Sequence, residues 1–325
     1  MRCSNARIKV VTRFDKSSLG MAFLFKSSLD TNVDVIKEEE KQMKKFITLL
    51  LALLTVLTLA GCGSKEEAAP APADEGTAET VKITVAASPT PHAEILGKAK
   101  EILAGQGVDL EIVEFEDYVQ PVEVVESGEI DANYFAHVPY LNNYNEEKGT
   151  TQTVVGKIHY EPFGIYPGKK ASLDELTDGD DVLVPNDGTN ETRALLLLQD
   201  NGIITLPEGT GADTVVTVND VVDYNVKINI VEVEAAQIAR SREDAALVIL
   251  NGNYALAAGL NVSKDAIAYE SSDSSAAQTY VNVVAVKAGN ENNEAIKKLV
   301  EVLRSQEIVD FINSTYEGAV VPFKG

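Results

Sequence analysis

From Val81 to the C-terminus the apolar residues switch repeatedly between a period of two and a period of three to four. That alternation restricts the chain to layered α/β architecture more tightly than any other feature, because each period can bury only one kind of face. Ile83, Val85 and Ala87 read as a strand, and Ser88-Pro89-Thr90-Pro91 as the turn that opens a helix. Ile95, Leu96, Ala99, Ile102 and Leu103 recur at helical spacing until Gly105 and Gly107, and Val108, Leu110 and Ile112 form a second strand. The pattern continues with a helix from Val119 to Ser127, a strand from Asp181 to Val184 and a helix from Thr192 to Asn201. Strands at Lys227–Val233, Ala246–Leu250 and Tyr280–Val286 and two helices near 293–304 and 306–315 complete it. Such alternation predicts mainly parallel sheets, with ligands bound beyond the carboxyl ends of the strands.

Upstream of this region the composition changes. Residues 1–61 carry ten Lys or Arg and six Asp or Glu, a net of +4, although the 325-residue chain has a net charge of −22. Residues 62–325 therefore carry −26, which disfavours nucleic acid and anionic membrane faces as partners. Met43-Lys44-Lys45 precedes an uncharged run from Phe46 to Ala60, followed by Gly61-Cys62. A basic start, a 15-residue apolar run and small residues at its end are the layout of a secretory signal, and the run is short for a membrane span, which needs about 20 residues. We expect residues 43–61 to be a signal peptide, and 62–80, with its prolines and no bulky apolar residue, to be a flexible tether. Residues 1–42 precede a complete signal and read as a spurious N-terminal extension. The 264 residues from Cys62 onward are long for one sheet, which predicts two α/β lobes with a ligand cleft between them.

Four places could line that cleft. The window 115–144 holds six of the sixteen aromatics found after residue 61, with Tyr118, Phe135 and Tyr140 around His137. Such a cluster suits the wall of a cavity for an apolar or polarizable side chain. Between a strand and a helix, Asn190 is placed as the N-cap, with Arg193 one turn inside it. A planar guanidinium at a helix start matches a carboxylate. Asn251 follows an apolar strand, and Asn282 interrupts another. A buried amide requires partners, and a ligand can supply them. The sequence has no Gly-x-Ser-x-Gly, His-Glu-x-x-His or phosphate-cradling loop, and two cysteines with three histidines leave little for metal chemistry. We therefore expect a binding protein rather than an enzyme, with no cofactor or metal.

Leu59-Ala60-Gly61-Cys62 resembles the lipobox of bacterial lipoproteins, which implies that Cys62 carries lipid and becomes the first residue. Pro91-His92-Ala93-Glu94, Phe115-Glu116-Asp117-Tyr118, Asp131-Ala132-Asn133-Tyr134-Phe135, Asn186-Asp187 through Arg193, Asn251-Gly252-Asn253-Tyr254 and Tyr280-Val281-Asn282 together resemble the NlpA/MetQ lipoprotein family. The resemblance implies a two-lobed, periplasmic-binding-protein-like fold of type 2, with residues 81–165 plus 283–325 in one lobe and 166–282 in the other. It implies a monomeric receptor, lipid-anchored at the outer face of the cell membrane, that delivers methionine, in its L form, to an ABC transporter permease. In that reading Tyr118, Phe135, His137 and Tyr140 enclose the ligand side chain, Asn190 and Arg193 bind its carboxylate, and Asn251 and Asn282 hold its amino and carboxylate ends. The rivals are another amino acid, a methionine-containing dipeptide, or an acidic adhesion lipoprotein with no small ligand.

Overall fold

The computed structural model describes residues 80–271 and 278–324. The signal, the lipobox and the tether up to residue 79 lie outside them. From its N-terminus this region forms β1 (Val81–Ala87), α1 (Glu94–Ala104), β2 (Val108–Glu114), α2 (Gln120–Ser127), β3 (Ala132–His137), α3 (Val138–Lys148), β4 (Gln152–Tyr160) and β5 (Gly164–Pro167). Then come β6 (Asp181–Pro185), α4 (Gly188–Asp200), the short β7 (Ile204–Thr205) and β8 (Asp223–Tyr224), β9 (Asn229–Val233), α5 (Ala235–Ile238) and β10 (Leu247–Leu250). The chain ends with α6 (Gly252–Ala257), α7 (Val262–Asp265), β11 (Ala268–Tyr269), β12 (Val281–Lys287), α8 (Glu294–Leu303), α9 (Gln306–Tyr316) and β13 (Val321–Pro322).

These strands build two main sheets. The first has the order β13-β4-β12-β3-β1-β2 and the second β11-β5-β10-β6-β9, while β7 and β8 pair separately. The chain leaves the first sheet after Tyr160, enters the second at Gly164, and returns between Tyr269 and Val281. The sheets are mixed rather than mainly parallel. β1 runs parallel to β2 and β3, and β6 to β9 and β10, but β4, β5, β11, β12 and β13 pair antiparallel. Of these, β4, β5, β11 and β12 flank the two passages between sheets, and β13 follows α9 at the end of the described chain.

Helix starts follow local capping chemistry. Asn293 accepts from Ala295 N and Ile296 N to open α8, and Ser305 accepts from Ile308 N to open α9. Ile95, Leu96, Ala99 and Leu103 of α1 and Ile296 and Leu299 of α8 bury one apolar face against Ile83, Val85 and Ala87 of the first sheet. Leu195, Leu197 and Leu198 of α4 do the same against Val182, Val184, Leu247 and Ile249 of the second. Among the described residues no helix is long and apolar enough to cross a membrane.

Gly168, just past β5, marks a point where backbones touch. A Cβ there would sit 2.4 Å from the Ala245 carbonyl oxygen and 2.5 Å from that of Arg242. Backbone carbonyls cannot step aside as a side-chain tip can, so Gly168→Ala should lower stability by about 1–3 kcal/mol. Chemical denaturation of both proteins reads this directly, and an unchanged midpoint would show that the segment yields freely.

Candidate functional site

Strand ends of both sheets converge on one pocket. Its walls are Tyr118, Phe135, Ala136, His137, Tyr140, Glu161, Asn190, Arg193, Asn251, Gly252, Asn253 and Asn282. All eight residues singled out from the sequence are therefore brought together. Glu161, Gly252 and Asn253 were missed. β3 delivers Phe135 and His137 to the cavity, while the pleat turns Tyr134 the other way, toward His159. The register of β12 places Asn282 opposite His137 on one side and His159 on the other.

Part of the wall is an aromatic box. The Tyr118 ring lies 5.8 Å from Phe135 and 5.6 Å from Tyr140, centroid to centroid, and Phe135 lies 6.0 Å from Tyr140. Hydrogen bonds fix the rings: Tyr118 Oη donates to Asn253 Oδ1 at 2.6 Å, and Tyr140 Oη to the Tyr118 carbonyl at 2.9 Å. Of the other aromatics in the 115–144 window, Tyr144 packs behind Tyr140 and Phe115 joins a separate cluster with Val125 and Ile130.

Opposite the box, polarity propagates from one carboxylate. The N-cap of α4 is Asp187, not Asn190, so the helix begins at Gly188, four residues before Thr192. Asp187 accepts from Asn190 N at 3.1 Å, and the Asn190 amide nitrogen donates to both Asp187 oxygens, at 2.8 and 3.0 Å. An ionised carboxylate only accepts, so the Asn190 NH₂ must face it and Asn190 Oδ1 must face the cavity. That oxygen takes Asn251 Nδ2 at 2.8 Å and His137 Nε2 at 3.0 Å. His137 Nδ1 accepts from Tyr140 N at 3.1 Å and caps α3, so the proton lies on Nε2. Asn251 is left with its oxygen buried and without a partner among the described residues. Burial, helped by the Arg193 charge, lowers the His137 pKa to about 3.

A second network lies behind Glu161. His159 Nε2 reaches Glu161 Oε1 at 2.7 Å, and His92 Nε2 lies 3.3 Å from the same oxygen and 3.0 Å from Asn282 Oδ1. Both partners of His92 Nε2 accept, so the proton sits there and His92 Nδ1 is bare and unpartnered. Burial brings His92 to about 4 and His159 to about 3, and pushes the Glu161 carboxyl up. These three residues present ligand atoms within 4.8 Å of one another, a grouping with metal-ligand chemistry, and here both histidines meet Glu161, with Asn282 and Tyr134 as further partners. Gly252 permits this packing, because a Cβ there would lie 2.6 Å from both Cβ and Oε2 of Glu161.

Arg193 lines the cavity, but its fork is occupied. Nε donates to Glu270 Oε1 at 2.8 Å and Nη2 to Glu270 Oε2 at 2.5 Å, while Nη2 also donates to the Glu161 carbonyl at 2.9 Å. The guanidinium stacks 4.3 Å from the Tyr280 ring and 4.8 Å from Phe163. Burial alone would lower its pKa, and the Glu270 charge and hydrogen bonds raise it further still. The side-by-side docking of a ligand carboxylate expected from the sequence therefore lacks its two-nitrogen edge, and the Nη1 end is what remains.

Two lobes of α/β structure around a pocket with an aromatic box and a polar wall have the architecture of a substrate-binding protein. The profile of the NlpA lipoprotein family matches residues 83–324, and the chain belongs to that family. Among its relatives, the D-methionine-binding lipoprotein MetQ of Salmonella typhimurium is 40% identical over 274 residues, covering 83% of this chain and 94% of the relative. The methionine-binding lipoprotein MetQ of Bacillus subtilis is 37% identical over 284 residues, covering 86% and 99%. A nutrient-binding protein from Burkholderia cenocepacia, solved bound to methionine, matches with a TM-score of 0.70 at 38% identity, covering 75% of this chain and 99% of that one.

The dependence on Asp187 is testable. Asp187→Ala should cost about 0.5–2 kcal/mol of stability through the lost cap. It should also release the Asn190 amide, so in NMR the His137 Nε2–H proton, held on Nε2 by Tyr140 N, would lose the shift of its hydrogen bond to Asn190 Oδ1. An unchanged Nε2–H shift would show that Asp187 does not set the polarity of this wall.

Proposed function

We propose that this chain is a lipid-anchored extracytoplasmic receptor that captures methionine in the cavity and delivers it to an ABC transporter permease. The observation that carries this reading is one pocket in which an aromatic box faces a wall carrying a buried, unmet acceptor and a carboxylate. Asn251 Oδ1 is unpartnered there and the Glu161 carboxylate lies beside it. A free amino acid is a zwitterion, and its ammonium group supplies those donors. The thioether fits the box formed by Tyr118, Phe135, His137 and Tyr140, since sulfur gains from contact with ring edges. The carboxylate meets Arg193 Nη1 and the Asn282 amide nitrogen, whose oxygen is already held by His92. Asn190 acts through Asn251 and His137 rather than on the ligand. The names of the Salmonella and Bacillus relatives and the methionine in the Burkholderia structure support the same ligand.

The lobes are taken as 81–160 with 281–324, and 164–269, limits set by strand membership in place of 165/166 and 282/283. Two passages between lobes permit hinge closure over the ligand.

Glu161 gives the reading a pH signature. An ammonium ligand favours the ionised carboxylate, so its pKa is lower with ligand bound than without. Affinity is then complete above the raised ligand-free pKa and falls as pH drops through it toward the ordinary carboxylate range. His92, His159 and Arg193 face the same carboxyl, and burial lowers the two histidines to about 4 and about 3. Titration calorimetry with L-methionine, D-methionine, glutamine and glycyl-methionine should show L-methionine binding best, with proton release that grows as pH falls. Glu161→Gln should abolish that release and weaken binding by about 2–5 kcal/mol. A parent that binds glutamine or the dipeptide best would replace the ligand, and proton release unchanged in Glu161→Gln would remove its assigned role.

For the anchor, we take Cys62 as the acylated first residue of the mature protein. Cys62→Ser should abolish labelling by an alkynyl palmitate analogue and move the protein out of the membrane fraction. Persistent acylation in that variant would contradict the assignment.

A further inference from the structure

The charges around the cavity do not balance within the protein. Arg193 is the cation of this wall, and Glu270 already matches it through two hydrogen bonds. Glu270 is itself fixed by donors from outside the cavity: Tyr160 Oη at 2.5 Å and Phe163 N at 3.0 Å, with Glu270 N returning to the Phe163 carbonyl at 3.0 Å. It therefore joins both passages between the sheets and cannot swing aside without breaking them. What is left facing the ligand is the carboxylate of Glu161 and the unpartnered oxygen of Asn251.

We infer that Glu270 is a specificity-determining residue: by neutralising Arg193 it makes the cleft recognise a ligand's ammonium group first and leaves the ligand's carboxylate as the weaker handle. A carboxylate brought to Nη1 is attracted by the guanidinium and repelled by Glu270 on its other edge, so the attraction is weakened. An ammonium group at Glu161 meets the Arg193 charge only as offset by Glu270. The ligand class is thus a primary amine bearing an apolar or thioether side chain, including forms whose carboxyl group is masked. The inference rests on the methionine reading above.

The experiment measures dissociation constants of L-methionine, L-methioninamide and N-acetyl-L-methionine for the parent, Glu270→Gln and Glu270→Asp. In the parent, masking the carboxylate should cost no more than about tenfold and masking the amine at least about a hundredfold. Glutamine keeps an oxygen for Tyr160 and Phe163 but removes the charge. The preference of Glu270→Gln for methionine over its amide should therefore widen by about tenfold or more relative to the parent, while Glu270→Asp keeps the parental ratio. Purely structural damage would weaken both ligands equally and leave the ratio unchanged, which would overturn the inference. Should Glu270→Gln not fold, the parent alone decides, because N-acetyl-L-methionine binding more tightly than L-methioninamide also overturns it. A parent that binds none of the three refutes the methionine reading, and this inference with it.

Discussion

Arg193 sits in the interior on a helix facing the ligand cavity, and a guanidinium there is tolerable only with a counter-charge in place. Glu270 supplies it at 2.5 and 2.8 Å, and the rest of the site is arranged around that pair. Breaking a buried ion pair by removing one partner costs about 3–5 kcal/mol, so the pair cannot be given up each time a ligand arrives. Its second consequence is geometric. The rings of Tyr280 and Phe163 and the Glu161 carbonyl all pack on the same guanidinium, so the two passages between the sheets meet at one side chain. The cavity and the connection between lobes thus share a single electrostatic anchor.

A second carboxylate fixes orientation rather than charge. Asp187 caps α4 and turns the Asn190 amide, which in turn orders Asn251 and His137. Each step follows from buried donors needing acceptors. The relay ends on Asn251 Oδ1, a buried acceptor with no donor among the described residues. Such an atom costs free energy unless a ligand completes it, and that deficit is the part of the site that selects a donor-rich ligand.

Much of this was legible in the sequence. The alternation of periods placed β1, β2, β6, β9, β10 and β12 and the helices between them, while the aromatic window, the segments after two strands and an amide inside a third pointed to the eight residues that share one pocket. Other parts were hidden for physical reasons. Every residue of β3 is buried, on both faces, so Ala132–His137 has no period to read. Asn190 and Asp187 are both good caps, and only the geometry distinguishes the one that begins the helix from the one it orients. Glu161 and Glu270 are two of 50 acidic residues in a strongly acidic chain, and nothing local marks them. What sets them apart is burial and the company of Arg193, both products of long-range folding. The expectation that Arg193 offers its fork to a ligand failed for that reason: its partner lies 77 positions away.

The central claim is that this cleft reads a zwitterion through Glu161 and Asn251 at one end and the Nη1 tip of Arg193 at the other, with Glu270 still in place. A crystal structure of the chain with L-methionine bound tests it most directly. The account predicts the ligand nitrogen within hydrogen-bond distance of Glu161 and Asn251 Oδ1, and the ligand carboxylate on Nη1, with the two Glu270–Arg193 hydrogen bonds intact. A ligand carboxylate seated on Nε and Nη2, with Glu270 displaced from them, would contradict it.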